Sequence, residues 1–174
     1  GFLFSRTIQS NLTTQMSKAS GAGLGYRFLR DDDLDALVEF FESQGMDQFE
    51  YFKPHSFDLI TLRLLLKSKS FFMMGVFDEC ALVGYFYLRC FANKKAFTGR
   101  IVDPKCQGRG ISKQMGQILL ISAWESGLRV FGTTSRENVK SLNSYKSISE
   151  LKILKDLGDG YVLFEYLESG IRSK

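Results

Sequence analysis

The stretch "RIVDPKCQGRGISKQMGQILL", Arg100 to Leu120, decides the reading of this chain. It passes from apolar, strand-like residues through Pro104 and two close glycines, Gly108 and Gly110, into a run with helical periodicity. Pro104 ends the strand, because proline brings no N–H to a ladder. The glycines let backbone N–H groups turn toward a common point at the start of the helix. Unpaired amides and the helix dipole both favour an anion there, and Arg109 adds a formal positive charge. The same glycines would also serve a strand-to-helix turn that needs them for steric reasons alone. Two other phosphate loops do not fit: a Walker loop needs Lys followed by Ser or Thr after its last glycine, and the dinucleotide fingerprint fails on spacing.

On either side of this turn the chain reads as short alternating elements. "GYRFLR", Gly25 to Arg30, is a strand, and "DDDLDALVEFFESQG" follows as a helix with Leu34, Leu37, Val38 and Phe41 on one face and its acids at the positive end, stopped by Gly45. A second helix is predicted from about Ser56 to Lys67, with Phe57, Ile60, Leu64 and Leu65 on one face. "FFMMGVFD" and "ALVGYFYLRC" form a hairpin turning around Asp78, Glu79 and Cys80, and "KAFTGRIV" continues as the next strand. The helix after Gly110 ends near Gly127. "RVFGTTS" is a further strand, a helix of about ten residues opens near Asn138, and "ELKILKD" and "YVLFEYLE" close the chain around "LGDG". The order β-α-α-β-β-β-α-β-α-β-β predicts an α/β (α+β) fold with a mixed sheet and helices on both faces.

Composition bounds what such a fold could do. With 174 residues, 44% hydrophobic and 24% charged, the chain suits one globular domain with a real core. Its longest apolar runs stop short of the ~20 residues that cross a bilayer, so no membrane partner is expected. Of the 23 basic residues four (Arg6, Lys18, Arg27 and Arg30) fall in the first thirty, where no acidic residue lies, so the rest of the chain is balanced. A balanced body gives little reason to bind nucleic acid. Cys80, Cys90 and Cys106 are odd in number and lack metal-ligand spacing. No metal is expected, and the cytoplasm is the expected compartment.

Residues 1–24 read as an N-terminal extension preceding a single domain over 25–174. The extension is rich in Ser, Thr, Gln and Gly, its apolar start is too short for a signal-peptide core, and Met16 is a candidate start. If ordered, Phe2, Phe4, Ile8 and Leu12 would dock on a neighbouring surface, such as that of a second subunit in a homodimer.

The order Gln107-x-x-Gly110-x-Ser112 after "VDP" resembles the acyl-CoA-binding signature of the GNAT superfamily of N-acyltransferases. The family's signature is Arg or Gln, two residues, Gly, one residue, then Gly or Ala; Ser112 is a small departure. The element order from Gly25 to Glu168 resembles the family's layout as well. This resemblance implies acetyl-CoA as co-substrate and a fourth strand that bulges and splays from the fifth, giving a cofactor cleft. The pantetheine arm would pair with main chain near Ile101 and Val102, and the pyrophosphate would sit over Gln107, Gly108, Arg109, Gly110, Ile111 and Ser112.

A second segment, "ENVKSLNSY", places Asn138, Ser141 and Tyr145 at the spacing of the family's Asn-x-x-Ala-x-x-x-Tyr helix, with Ser141 in place of Ala. The resemblance implies that Asn138 hydrogen-bonds the cofactor and that Tyr145 protonates the departing sulfur. From the residues alone, Asn138 also reads as a helix cap, and Tyr145 as a packed ring. "KSISELK" follows where the family often has a Gly-Phe pair.

The implied reaction is attack of a small-molecule primary amine, such as an amino sugar, on the acetyl thioester. A silent acyl-CoA-binding or interaction module on the same fold is the alternative. His55 is the sole histidine, and it lies between aromatics and Pro54 in the connection that borders the acceptor site in this superfamily. An imidazole with a pKa of ~6.5 suits removal of the amine proton, although a packing or capping histidine fits the same place. Glu50 and Asp47 are further acceptor-side candidates. Cys106 reads as structural, which favours direct transfer.

Overall fold

Phe71 to Phe77 are all buried, although an exposed strand face would alternate. The computed structural model describes residues 1–45 and 55–168, Phe2 by its backbone alone. In it this strand lies in the interior of one sheet covered on both faces. The strands are β1 (Leu24–Phe28), β2 (Phe71–Asp78), β3 (Ala81–Cys90), β4 (Lys95–Val102), β5 (Arg129–Ser135), β6 (Glu150–Gly158) and β7 (Tyr161–Leu167). They are ordered β1-β2-β3-β4-β5-β7-β6, and every neighbouring pair is antiparallel except β4 with β5. This is the mixed, mainly antiparallel sheet that the order of elements predicts.

The parallel pair opens. Lys95, Ala96 and Phe97 face Arg129, Val130 and Phe131, and from residue 98 to Val102 β4 keeps only β3 as a neighbour. The expected splay is therefore present. The expected bulge is not: the β3–β4 register runs unbroken from Cys90–Ala96 to Gly84–Val102. Divergence of two parallel strands at one end suffices to open the gap, with no extra residue in the ladder.

Helices α1 (Phe2–Ala19), α2 (Leu34–Ser43), α3 (Leu59–Lys67), α4 (Ile111–Glu125) and α5 (Val139–Ile148) flank the sheet. α2 and α3 cover one face, where Leu34, Leu37, Phe41 and Leu62 pack with Phe71, Met73, Tyr85 and Ile101. α1, α4 and α5 cover the other, where Ile8, Leu12 and Met16 join Met115, Ile118 and Leu119. Most of residues 1–24 is thus an 18-residue helix. Ile8 and Leu12 are buried, whereas Leu3 is 78% exposed and Phe4 36%. The face expected for α3 is a correction, since Ile60 and Leu64 are 74% and 67% exposed and Leu62 is the fully buried residue. Asp58 sets the start of that helix, its Oδ1 accepting from the Thr61 amide at 2.9 Å. In "LITLRLLLK" six of the nine positions are apolar and they fall all round the helix, so periodicity alone does not choose the face.

Candidate active site

β4 delivers the chain to the mouth of the splay. Asp103 closes a tight turn there, its Oδ1 accepting from the Lys105 amide at 2.9 Å, and Pro104–Cys106 form one 3-10 turn. Gly108 and Gly110 then take φ of 85° and 76°, the left-handed region that costs a side-chain-bearing residue ~1–2 kcal/mol. Gly110 is the N-cap of α4. The first amides of a helix have no acceptor within it, and here the residues that carry them, Ile111, Ser112 and Lys113, line a cavity.

This cavity, of about 690 Å³, lies beside the open edge of β4, walled by β4, the glycine turn, α4 and α5. Ile101, Val102, Gln107, Gly108, Gly110, Ile111, Ser112, Asn138 and Tyr145 all line it. Arg109 does not; its Nη1 is 2.7 Å from Asp78 Oδ2 in a half-exposed ion pair. Its guanidinium therefore anchors the turn to the β2–β3 hairpin. The cations that do line the cavity are Arg100, Lys113 and Lys140, and no carboxylate is among the lining residues. Lys140 Nζ donates to Gln107 Oε1 at 2.5 Å, tying α5 to the turn. Asn138 caps α5, its Oδ1 accepting from the Ser141 amide at 3.2 Å, so the capping role and a place on the cavity wall coexist.

Arg100 is the residue that the sequence reading passed over. Its Nε donates to Ser112 Oγ at 3.1 Å and its Nη2 to Ser144 Oγ at 3.2 Å, and the two hydroxyls are 3.2 Å apart. Its Cζ stands 4.8 Å from the Tyr145 ring centroid. One side chain thus joins β4, α4 and α5 around the cavity. The clue in the sequence was a charged residue inside the apolar strand "KAFTGRIV", since a charge at such a place needs partners. Lys140 and Ser144 line the cavity too.

Tyr145 packs its ring against Phe164 at 5.4 Å and Tyr166 at 6.1 Å. Tyr166 is buried, which pushes its phenol up to about 12 despite hydrogen bonds toward Arg100 and Thr98. It stays neutral and braces the base of the splay.

His55 lies outside this cavity, among Phe41, Phe57, Phe71, Tyr85 and Tyr87, whose ring centroids stand 5.5 to 6.4 Å from its own. Its Nδ1 is 2.8 Å from the Ser56 carbonyl oxygen, and its Nε2 is 2.8 Å from the Tyr85 hydroxyl. A carbonyl only accepts, so Nδ1 carries the proton and Nε2 accepts from Tyr85. Burial raises the Tyr85 phenol well above its ordinary value, keeping that donor protonated. Burial also lowers the His55 imidazole from 6.5. Asp47, Glu50 and Pro54 lie outside the described residues.

No protein-family model matches the chain, and no curated protein does. Solved structures do. The GNAT domain of S. lividans PAT superposes with a TM-score of 0.70 at 17% identity, over 81% of this chain and 88% of that one. The ribosomal-protein-S5-alanine acetyltransferase from Vibrio fischeri gives 0.66 at 15% identity, over 88% and 98%. The PaiA N-acetyltransferase from Thermoplasma acidophilum, solved in complex with coenzyme A, gives 0.66 at 17% identity, over 83% and 99%. At these identities the likeness establishes the fold, which is that of the GNAT acetyltransferases.

Proposed function

We propose that this chain, built on the GNAT fold, is an N-acetyltransferase that moves the acetyl group of acetyl-CoA directly to a primary amine. One observation carries the reading: the glycine turn, the unpaired edge of β4 and Tyr145 converge on a single cavity at the splay. The residues fit the ligand. Gly108 and Gly110 turn the backbone toward the start of α4, and Lys113 and Lys140 bring positive charge where phosphates would approach. Residues 98 to 102 of β4 leave an edge that a pantetheine arm, itself bearing amides, could extend as an added strand.

Tyr145 holds the proton for the departing sulfur, a task suited to a neutral phenol. Arg100 fixes its ring and ties Ser112 and Ser144 to the same wall. Cys106 lines the cavity at the turn; in this reading it is structural and the amine attacks the thioester directly.

On the other face of the sheet His55 holds the acceptor-side wall. Its one lone pair is engaged by Tyr85, so the amine proton passes to water. The acceptor is a small-molecule amine in this reading, an amino sugar being one candidate. The fold does not restrict the class, since a neighbour is named for acetylating ribosomal protein S5.

The test has two stages. Calorimetry with coenzyme A asks whether the turn binds the donor. Release of free thiol from acetyl-CoA is then followed with amino sugars, amino acids, polyamines and peptides with free N-termini. Amine-dependent release supports the enzyme; binding without release across the panel would make the chain a silent acyl-CoA binder.

A further inference from the structure

We propose that Tyr87 closes the far side of the splay and sets how long an acyl chain the site accepts; this rests on the reading of the cavity as an acyl-CoA site. Tyr87 stands on β3 directly opposite Gly99 of β4. A Cβ on Gly99 would lie 2.4 Å from the Tyr87 ring, so only glycine lets that ring lie flat against the β4 backbone. Gly99 belongs to the part of β4 beyond Phe97, where pairing with β5 has ended. The ring therefore covers the β4 backbone where that edge is open, on the α2–α3 face and beyond the residues that line the cavity.

The ring is clamped there. It stacks on Phe71 at 5.0 Å and 12°, His55 stands edge-on at 6.0 Å, and Tyr85 lies tilted at 6.1 Å. Tyr87 packs with the cluster under α2 and α3, while Tyr145 packs with the cluster on the opposite face. Burial is the main cause that raises the Tyr87 phenol, and Tyr145 and Tyr166 add to the rise. Two tyrosines thus approach the splay from its two faces. Tyr145 serves the sulfur, and Tyr87 limits the space beyond the carbonyl.

In the proposed binding mode an acetyl group ends short of this ring, and each further methylene of a longer acyl chain would run toward it. A clamped, close-packed ring yields poorly to added volume. The Gly99 and Tyr87 pair is thus a built stop, and its loss should widen the acyl preference without altering the phosphate turn.

The experiment measures affinities of coenzyme A, acetyl-CoA and butyryl-CoA for the whole chain by calorimetry, which needs no knowledge of the acceptor. The wild type should bind acetyl-CoA and coenzyme A alike and butyryl-CoA roughly tenfold or more weakly, the scale of misplaced methylenes. Tyr87→Ala should bring butyryl-CoA to within about threefold of acetyl-CoA, a residual difference of well under one misplaced methylene. Tyr87→Leu, which keeps an apolar side chain in the cluster, should narrow the ratio in the same direction, and Tyr87→Phe should leave it unchanged. Equal binding of acetyl-CoA and butyryl-CoA by the wild type overturns the stop, as does an unchanged ratio in the Ala and Leu variants. A Phe variant that behaves like Ala overturns the steric basis. Failure of the wild type to bind coenzyme A at all would instead remove the donor-site reading beneath it.

Discussion

The Tyr85 hydroxyl donates to His55 Nε2 across 2.8 Å, joining residues thirty positions apart. With Nδ1 donating to the Ser56 carbonyl, the imidazole is neutral and fully engaged. Because burial lowers its pKa below 6.5, the unfolded chain takes up a proton at pH values where the folded protein still refuses it. Stability from this site is full above 6.5 and is lost as pH falls through the lower folded value. Thermal melts between about pH 5 and pH 8 should show Tm falling on the acid side. His55→Gln should flatten that fall. In turnover, His55→Gln should raise KM for the acceptor more than it lowers kcat, and loss of the acid limb of kcat/KM would restore His55 as the base.

Tyr145→Phe removes one oxygen and keeps the ring against Phe164, Tyr166 and Arg100. General acid catalysis is worth about 10²–10⁴-fold. Turnover should fall by that order with coenzyme A affinity and Tm near normal. Unchanged turnover would return Tyr145 to a packing role.

Arg100→Met should leave Ser112 and Ser144 bonded only to each other and loosen α5 from the turn. Hydrogen bonds to a charged group contribute ~1.5–3 kcal/mol, so coenzyme A affinity should fall by roughly tenfold or more. Arg100→Lys should not restore it, because a lysine lacks the two-pronged geometry that reaches both hydroxyls. Calorimetry on the two variants checks this.

Gly110→Asp and Gly110→Asn impose similar strain at φ 76°, but only Asp adds a charge where phosphates approach. Space is not the obstacle, since a Cβ there meets nothing within 4 Å. Asn should bind coenzyme A well above the level of Asp, and the gap should shrink in high salt. Equal affinities for the two variants would take this turn out of the donor site.

Leu12 is fully buried at the α1–α4 contact. Leu12→Ala should cost ~2–5 kcal/mol of stability, measured by urea unfolding. A cost within error would mean that α1 is not part of the cooperative unit.

The glycine turn was legible because Pro104, Gly108 and Gly110 act through their own backbones, which no distant residue overrides. The strands were legible for a similar reason, since runs such as "FFMMGVFD" carry β-branched and aromatic residues between clear turns. α1 was hidden because Ile8, Leu12 and Met16, one residue in four, are spaced among Ser, Thr and Gln, while the more conspicuous Leu3 and Phe4 face solvent. The roles of Arg100 and Arg109 were hidden for another reason. Each is decided by a partner distant in sequence, Ser144 for one and Asp78 for the other, and spacing within a motif cannot show which cation is already spoken for.

The two halves of the sheet, β1 to β4 and β5 to β7, meet through just three residue pairs, Lys95–Arg129, Ala96–Val130 and Phe97–Phe131. α4 packs against both β4 and β5 and is the main brace across that seam. Local opening draws on the least-paired part of a structure, so amide deuteration should enter here first, well before the long β2–β3 ladder. The cleft and the weakest seam coincide. A ligand wedged between β4 and β5 would therefore act as the missing rungs, and slowed deuterium uptake along β4 would report its arrival even where no chemistry follows.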